Sequence, residues 1–147
     1  MPTQLHEWVI FSVVEELRRQ LREIGDGCTA SAKFAQLVEA RGSPTLDFTD
    51  SGYGRHDPDA QFRHLKAQYP GVVIEVSYTQ KRKDLAHIAE DYILGSDGNI
   101  RVVIGLDVEY RNSKMATLSV WRPGVVLNEA REAELVAEQT VVDQVCA

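Results

Sequence analysis

Apolar positions recur along the chain with two periods, and the switch between them divides it into elements. Ile10, Val14, Leu17, Leu21 and Ile24 follow one another at i, i+4, i+7, i+11 and i+14, which predicts a helix over 5–24 with one buried stripe. Thr3 is a candidate N-cap, and Gly25-Asp26-Gly27 ends the segment. A second short helix is predicted over 29–40, with Phe34, Leu37 and Val38 inward, and Arg41-Gly42-Ser43-Pro44 stops it. Residues 45–48 read as a short strand, followed by turn-forming residues over 49–54.

The pattern then becomes extended. Residues 59–65 read as a strand, with Ala60 and Phe62 opposite Asp59, Gln61 and Arg63. After Tyr69-Pro70-Gly71, Val72, Ile74, Val76 and Tyr78 form one face of a strand over 72–80, and Val73, Glu75 and Ser77 form the other. Apolar residues on both faces of its first half predict a central strand covered on two sides. Leu85, Ile88, Ala89, Tyr92 and Ile93 predict an amphipathic helix over 81–94, closed by Ser96-Asp97-Gly98-Asn99. Strict alternation from Ile100 to Glu109 predicts the longest strand, and 116–121 the strand that returns from a turn at 111–114. Asn128 is expected to cap a last helix with Leu135, Val142 and Val145 on its stripe. The sum is an α/β chain, one domain over 1–147, with a meander of three strands feeding a crossover helix and a mixed central sheet.

Composition narrows the function classes. The 147 residues are 44% hydrophobic and 26% charged, ordinary for a globular protein with a real core. No apolar run is long enough to span a bilayer, and the first residues lack the basic start and apolar core of a signal peptide. Cys28 and Cys146 are too few for a disulfide framework, so an intracellular chain, cytoplasmic or nuclear, with reduced thiols is expected. A net charge of −6 argues against coating nucleic acid by bulk electrostatics but leaves room for a local basic groove. Lys81-Arg82-Lys83 is the dense basic cluster, read either as such a border or as a solvated helix turn.

Chemistry concentrates between Asp57 and Gln80. A carboxylate at Glu75, among Val72-Val73-Ile74 and Val76, is costly to bury without a partner. It is either a functional acid or a strand Glu paired with Arg63 or Arg101. Adjacent strands lie about 4.8 Å apart, so Asp59 and Glu75 can converge on one cation if their registers agree. Both are expected to look toward the first helix or a cleft beside it. Asp57 competes with Asp59 for the role, since Asp-Pro-Asp also builds turns. Glu15 and Glu16 flank the first helix's stripe, and Asp107 and Glu109 share a strand face; solvent is the simpler expectation for all four. His56, His64 and His87 lack ligand spacing, and nothing resembles a nucleophile elbow or a phosphate-binding glycine loop.

The order αβββαβ, with Pro58-Asp59 opening one strand and Glu75-Val76-Ser77 in the next, resembles the PD-(D/E)XK, or restriction-endonuclease-like, superfamily. The run from Asp57 to Trp121 is similar to fungal proteins of that type, through the Pro-Asp corner, Glu-Val-Ser-Tyr-Thr-Gln, Asp91-Tyr92-Ile93 and Ser96-Asp97-Gly98-Asn99-Ile100. The resemblance implies a nuclease-like domain in which Asp59 and Glu75 hold Mg²⁺ or Mn²⁺ for phosphodiester hydrolysis of nucleic acid. The superfamily's Lys, two residues after the acid, is replaced here by Ser77. Relatives relocate that Lys, which makes Lys81 or Lys83 its candidate substitute and Gln80 a candidate polar partner. A Gln and Tyr four apart mark another branch; Ile88 and Tyr92 hold that spacing, so Tyr92 reads as core. The alternative is a catalytically degenerate member that binds nucleic acid or a protein, with a homodimer also open.

Overall fold

Strand β5 (Val72–Tyr78) lies inside a six-stranded mixed sheet, and its neighbours follow from the connections on either side of it. A tight turn through Pro70-Gly71 sets β4 (Ala60–His64) antiparallel to it, with Ala60 opposite Ile74 and Phe62 opposite Val72. Helix α3 (Leu85–Gly95) separates it from β6 (Val102–Val108), which is therefore free to return in parallel, Glu75 beside Gly105 and Ser77 beside Asp107. The computed structural model describes residues 4–78, 84–109 and 115–146. With β1 (Val38–Ala40), β7 (Ala116–Leu127) and β8 (Ala133–Cys146), the sheet order is β1-β4-β5-β6-β7-β8. A small two-stranded sheet pairs β2 (Leu46–Phe48) with β3 (Gly54–His56).

The two faces of β5 are covered by different helices. Helix α1 (Gln4–Gly25) lays Ile10, Val13, Val14, Leu17 and Leu21 against Ala60, Phe62 and Ile74, and Leu5 and Val9 against Val76, Leu106 and Val108. On the opposite face α3 brings Ala89, Tyr92 and Ile93 onto Val73, Val103 and Trp121, with Leu46 and Phe48 of the small sheet completing that core. Asp84 caps α3 by accepting from the His87 amide at 3.1 Å. Asp97 and Gly98 close it with φ of 53° and 75°, and the Gly98 amide returns to the Ile93 carbonyl at 2.8 Å. No described helix is long and apolar enough to cross a membrane.

The segments 59–65, 72–78, 100–109 and 116–121, expected in one sheet, contribute β4, β5, β6 and β7 to it, and α3 packs on it through Leu85, Ile88 and Tyr92 as expected. Three expectations need correction. Helix α2 (Ala30–Gln36) is only seven residues, capped by Thr29, and it buries Ala32 and Ala35 while Phe34 lies outward, stacked on His64 at 4.7 Å. Val38 instead opens β1, whose pairing with β4 satisfies its main chain; β1, not 45–48, is the first strand of the three-stranded meander. The last element is a strand, not a helix, and its fourteen residues, not the seven of β6, make the longest described strand. Asn128 does accept from the Glu132 amide at 2.9 Å, but it closes the turn of a hairpin between β7 and β8. Register shifts opposite Leu118 and Val120 add residues to β8, so its apolar positions fall out of alternation and imitate a helical spacing.

Gly105 is where the sheet depends on a missing side chain. A Cβ there would lie 2.8 Å from the Trp121 ring and 3.1 Å from Leu85, both of which fold over this point of β6. Replacing Gly105 with Ala should therefore lower stability by about 1–3 kcal/mol, as overpacking does elsewhere. Urea melts of the variant check this; an unchanged midpoint would mean that Trp121 is not fixed over the strand.

Candidate functional site

Asp59 is the residue at which β4 begins. Its amide donates to the Ile74 carbonyl at 3.1 Å, continuing the ladder, and the buried Pro58 before it has no amide to offer β5. The Asp59 side chain adds a further link to β5, its Oδ2 accepting from the Val76 amide at 2.7 Å. Its Oδ1 lies 3.1 Å from His6 Nε2 on the first turns of α1. Asp57 accepts from the Thr45 hydroxyl at 2.5 Å, while Asp59 is the aspartate bonded to the β5 main chain.

Glu75 stands one residue beyond Ile74, and the Ala60–Ile74 pairing places it alongside Asp59. It is 4% exposed and looks toward α3, not toward α1 as expected, because odd residues of β5 face that helix. The Tyr92 hydroxyl donates to Glu75 Oε1 at 2.5 Å. The expected arginine partners are occupied elsewhere: Arg63 donates to the Ala67 carbonyl and Arg101 to the Gly98 carbonyl. Burial, then the adjacent Glu75 charge, and more weakly Asp59 and Asp57, push the Tyr92 proton affinity far above its ordinary value. Glu75 is the carboxylate that the Tyr92 hydroxyl bonds.

Around this pair the described chain adds two further groups. Ser77, 1% exposed, is next on the Glu75 face and adjoins Asp107 across the parallel register. Asp107 lines a cavity of about 470 Å³ with Trp121, Ser119 and Asp143, rather than lying in open solvent. Behind Tyr92, His56 Nε2 lies 2.9 Å from Asp91 Oδ2, and its ring is 5.3 Å from that of Tyr92. Glu15 and Glu16 are engaged by Arg18 and Arg19 on the outside of α1. Gln80, Lys81 and Lys83, with Arg82, lie outside the described residues.

The donor set suits a hard divalent cation in kind. Asp59 and Glu75 offer carboxylate oxygens from neighbouring strands, and Mg²⁺ is commonly held by one or two carboxylates with water and substrate phosphate as its other ligands. Among the described residues no three His, Cys, Asp or Glu side chains converge, so a cage made wholly of such groups is not formed by them.

Two residues join the site without standing out in the sequence. His6 precedes Ile10, Val13 and Leu17 by four, seven and eleven positions, so a polar ring on the inward stripe is the available signal. Tyr92 lies in the core as expected, but its hydroxyl has a role that a core reading leaves out; a Tyr on the helix packed over a buried Glu is the natural donor to it. No protein-family model matches the chain, and no match was found among curated proteins or solved structures.

The Tyr92–Glu75 bond predicts an alkaline instability. Below pH 10 Tyr92 is protonated in both folded and unfolded chains; above it, the unfolded chain releases the proton while the folded one retains it. Stability should then fall with rising pH beyond about 10, more steeply in the wild type than in Tyr92→Phe. Near neutral pH that variant should lose about 1–3 kcal/mol, the cost of leaving a buried carboxylate short of a donor. Denaturant melts across the alkaline range test both; parallel pH profiles would show that the hydroxyl is not held as described.

Proposed function

We propose that the chain is a nuclease-like protein of the restriction-endonuclease-like type, hydrolysing phosphodiester bonds of nucleic acid with a divalent cation held by Asp59 and Glu75. The observation that supports this reading is that Asp59, next to the Ala60–Ile74 pair, and Glu75 stand at adjacent positions of neighbouring antiparallel segments. The order α1, β1-β4-β5 antiparallel, α3 and a parallel β6 supports it, since it is the arrangement the αβββαβ resemblance implies.

The chain's own residues would divide the work as follows. Tyr92 orients Glu75, and His6 and the Val76 amide fix Asp59, so neither carboxylate has to be ordered when substrate arrives. A bound Mg²⁺ or Mn²⁺ supplies positive charge at the phosphate and activates water. Ser77 stands where a Lys is expected and brings no charge, so Lys81 or Lys83 is assigned to stabilise the phosphate and Gln80 to hold a polar contact beside it. Ser77 also favours the second reading, a degenerate member that keeps the acids and binds nucleic acid or a protein without cleaving it.

Metal binding to the folded state should raise the melting temperature. We expect Mg²⁺ or Mn²⁺ to stabilise the wild type and not Glu75→Gln, and mixed DNA and RNA substrates to be cleaved by the wild type and not by Glu75→Ala. A melting temperature indifferent to both ions would remove the metal site; stabilisation without cleavage would favour the degenerate reading. Replacing Lys81, Arg82 and Lys83 by Ala should weaken nucleic-acid binding and flatten its dependence on salt, read by a binding titration across ionic strength. Equal affinities at every salt concentration would return the cluster to a solvated surface.

A further inference from the structure

Helix α1 has a second face that the core does not use. Trp8 and Phe11 are each 64% exposed, on the side of the helix opposite the Ile10–Leu17 stripe. They begin a series, Trp8, Phe11, Glu15, Arg18, Arg22, Gly25, whose spacing of three and four is that of a coiled-coil seam. The series is aromatic at one end, acidic in the middle and basic at the other. At its far end the chain opens into a cavity of about 910 Å³, between α1, α2 and β1, lined by Arg18, Arg22, Gly25, Gln36 and Val38 among others.

We propose that two copies of the chain associate through this face of α1, antiparallel about a two-fold axis. In the antiparallel register that pairs residue i with 33 − i, Phe11 meets Arg22 of the second copy, Glu15 meets Arg18, and Trp8 reaches the corner where Gln36 packs on Gly25 beside the cavity. Each pairing is favourable and each occurs twice. An exposed ring takes a guanidinium over its face, a carboxylate finds a second cation, and the indole lies over the Gly25–Gln36 corner at the cavity mouth. The Glu15–Arg18 pair, bonded at 2.7 Å within one helix, becomes the shared middle of four charges with alternating sign. A parallel pairing would set Arg18 on Arg18 and Arg22 on Arg22. That internal complementarity is what assigns the face to a second copy and not to an unrelated partner. His6 lies on the opposite side of the same helix against Asp59, so the association leaves the acidic pair uncovered by α1 of the other copy.

Sedimentation velocity on the full chain, from about 1 to 100 µM, tests the association in a concentration range where contacts of this kind are half-populated. The expected result is a concentration-dependent doubling of the 16.5 kDa mass. Trp8→Ser with Phe11→Ser should stay at the single-chain mass while melting like the wild type, since both residues are exposed. In a Cys28→Ser, Cys146→Ser background, a short bis-maleimide should join Phe11→Cys to Arg22→Cys only when the two variants are mixed. A single-chain mass at every concentration, a dimer indifferent to the aromatic substitutions, or cross-linking of Phe11→Cys to itself would each overturn the proposal. So would a chain that stays single in solution and binds anionic lipid vesicles through Trp8, which would assign the face to a membrane surface.

Discussion

A carboxylate buried in the middle of a central strand governs much of this structure. Glu75 cannot enter the sheet interior without a donor, and the Tyr92 hydroxyl, carried by the crossover helix, is one. The bond therefore fixes more than one side chain. It ties α3 to β5, and α3 in turn brings Leu85 beside Trp121 over Gly105. Asp59 repeats the logic at the edge of the ladder, where its side chain accepts from the Val76 amide. The acids are structural participants as well as candidates for chemistry. Removing either group therefore disturbs packing together with any bound cation, and the neutral Glu75→Gln substitution separates the two effects better than truncation does.

Much of this is legible in the residues. The stripe from Ile10 to Leu21 and the alternation through β5 and β6 locate the layers, because each element buries one consistent face. The site is legible in part: Pro58-Asp59 and Glu75 stand out as acids beside apolar runs. The departures have identifiable reasons. Leu37 and Val38 continue a helical spacing from Phe34, but a three-residue edge pairing with β4 claims Val38. Leu135, Val142 and Val145 mimic a helix because extra residues in β8 shift the phase of a strand. The direction in which Glu75 points escapes the sequence because alternation yields two faces without saying which helix covers each.

Helix α1 illustrates how one segment can hold separate duties. Its inward stripe packs the sheet, and His6, one turn from its start, reaches the acid at the head of β4. Its outer face carries aromatic and basic residues at opposite ends, with Arg19 bridging Glu16 and Glu23 between the two. Trp8 and Phe11 lie on that outer face, each 64% exposed, apart from the stripe that packs the sheet.

The irregularity in β8 has a consequence for how the sheet ends. This strand is fourteen residues long and forms an open border of the sheet, the kind of rim on which foreign chains can grow. At Asp143, with φ of 42°, the main chain leaves the extended conformation, and Ser119 both accepts from the Asp143 amide and donates to its carboxylate. The rim is thereby divided into two shorter segments. Glu134, Glu138 and Asp143 place like charges along it, so stacking of rim upon rim meets repulsion as well as a broken template. The same local distortion that disguises the strand in the sequence guards the folded chain against templated fibril growth.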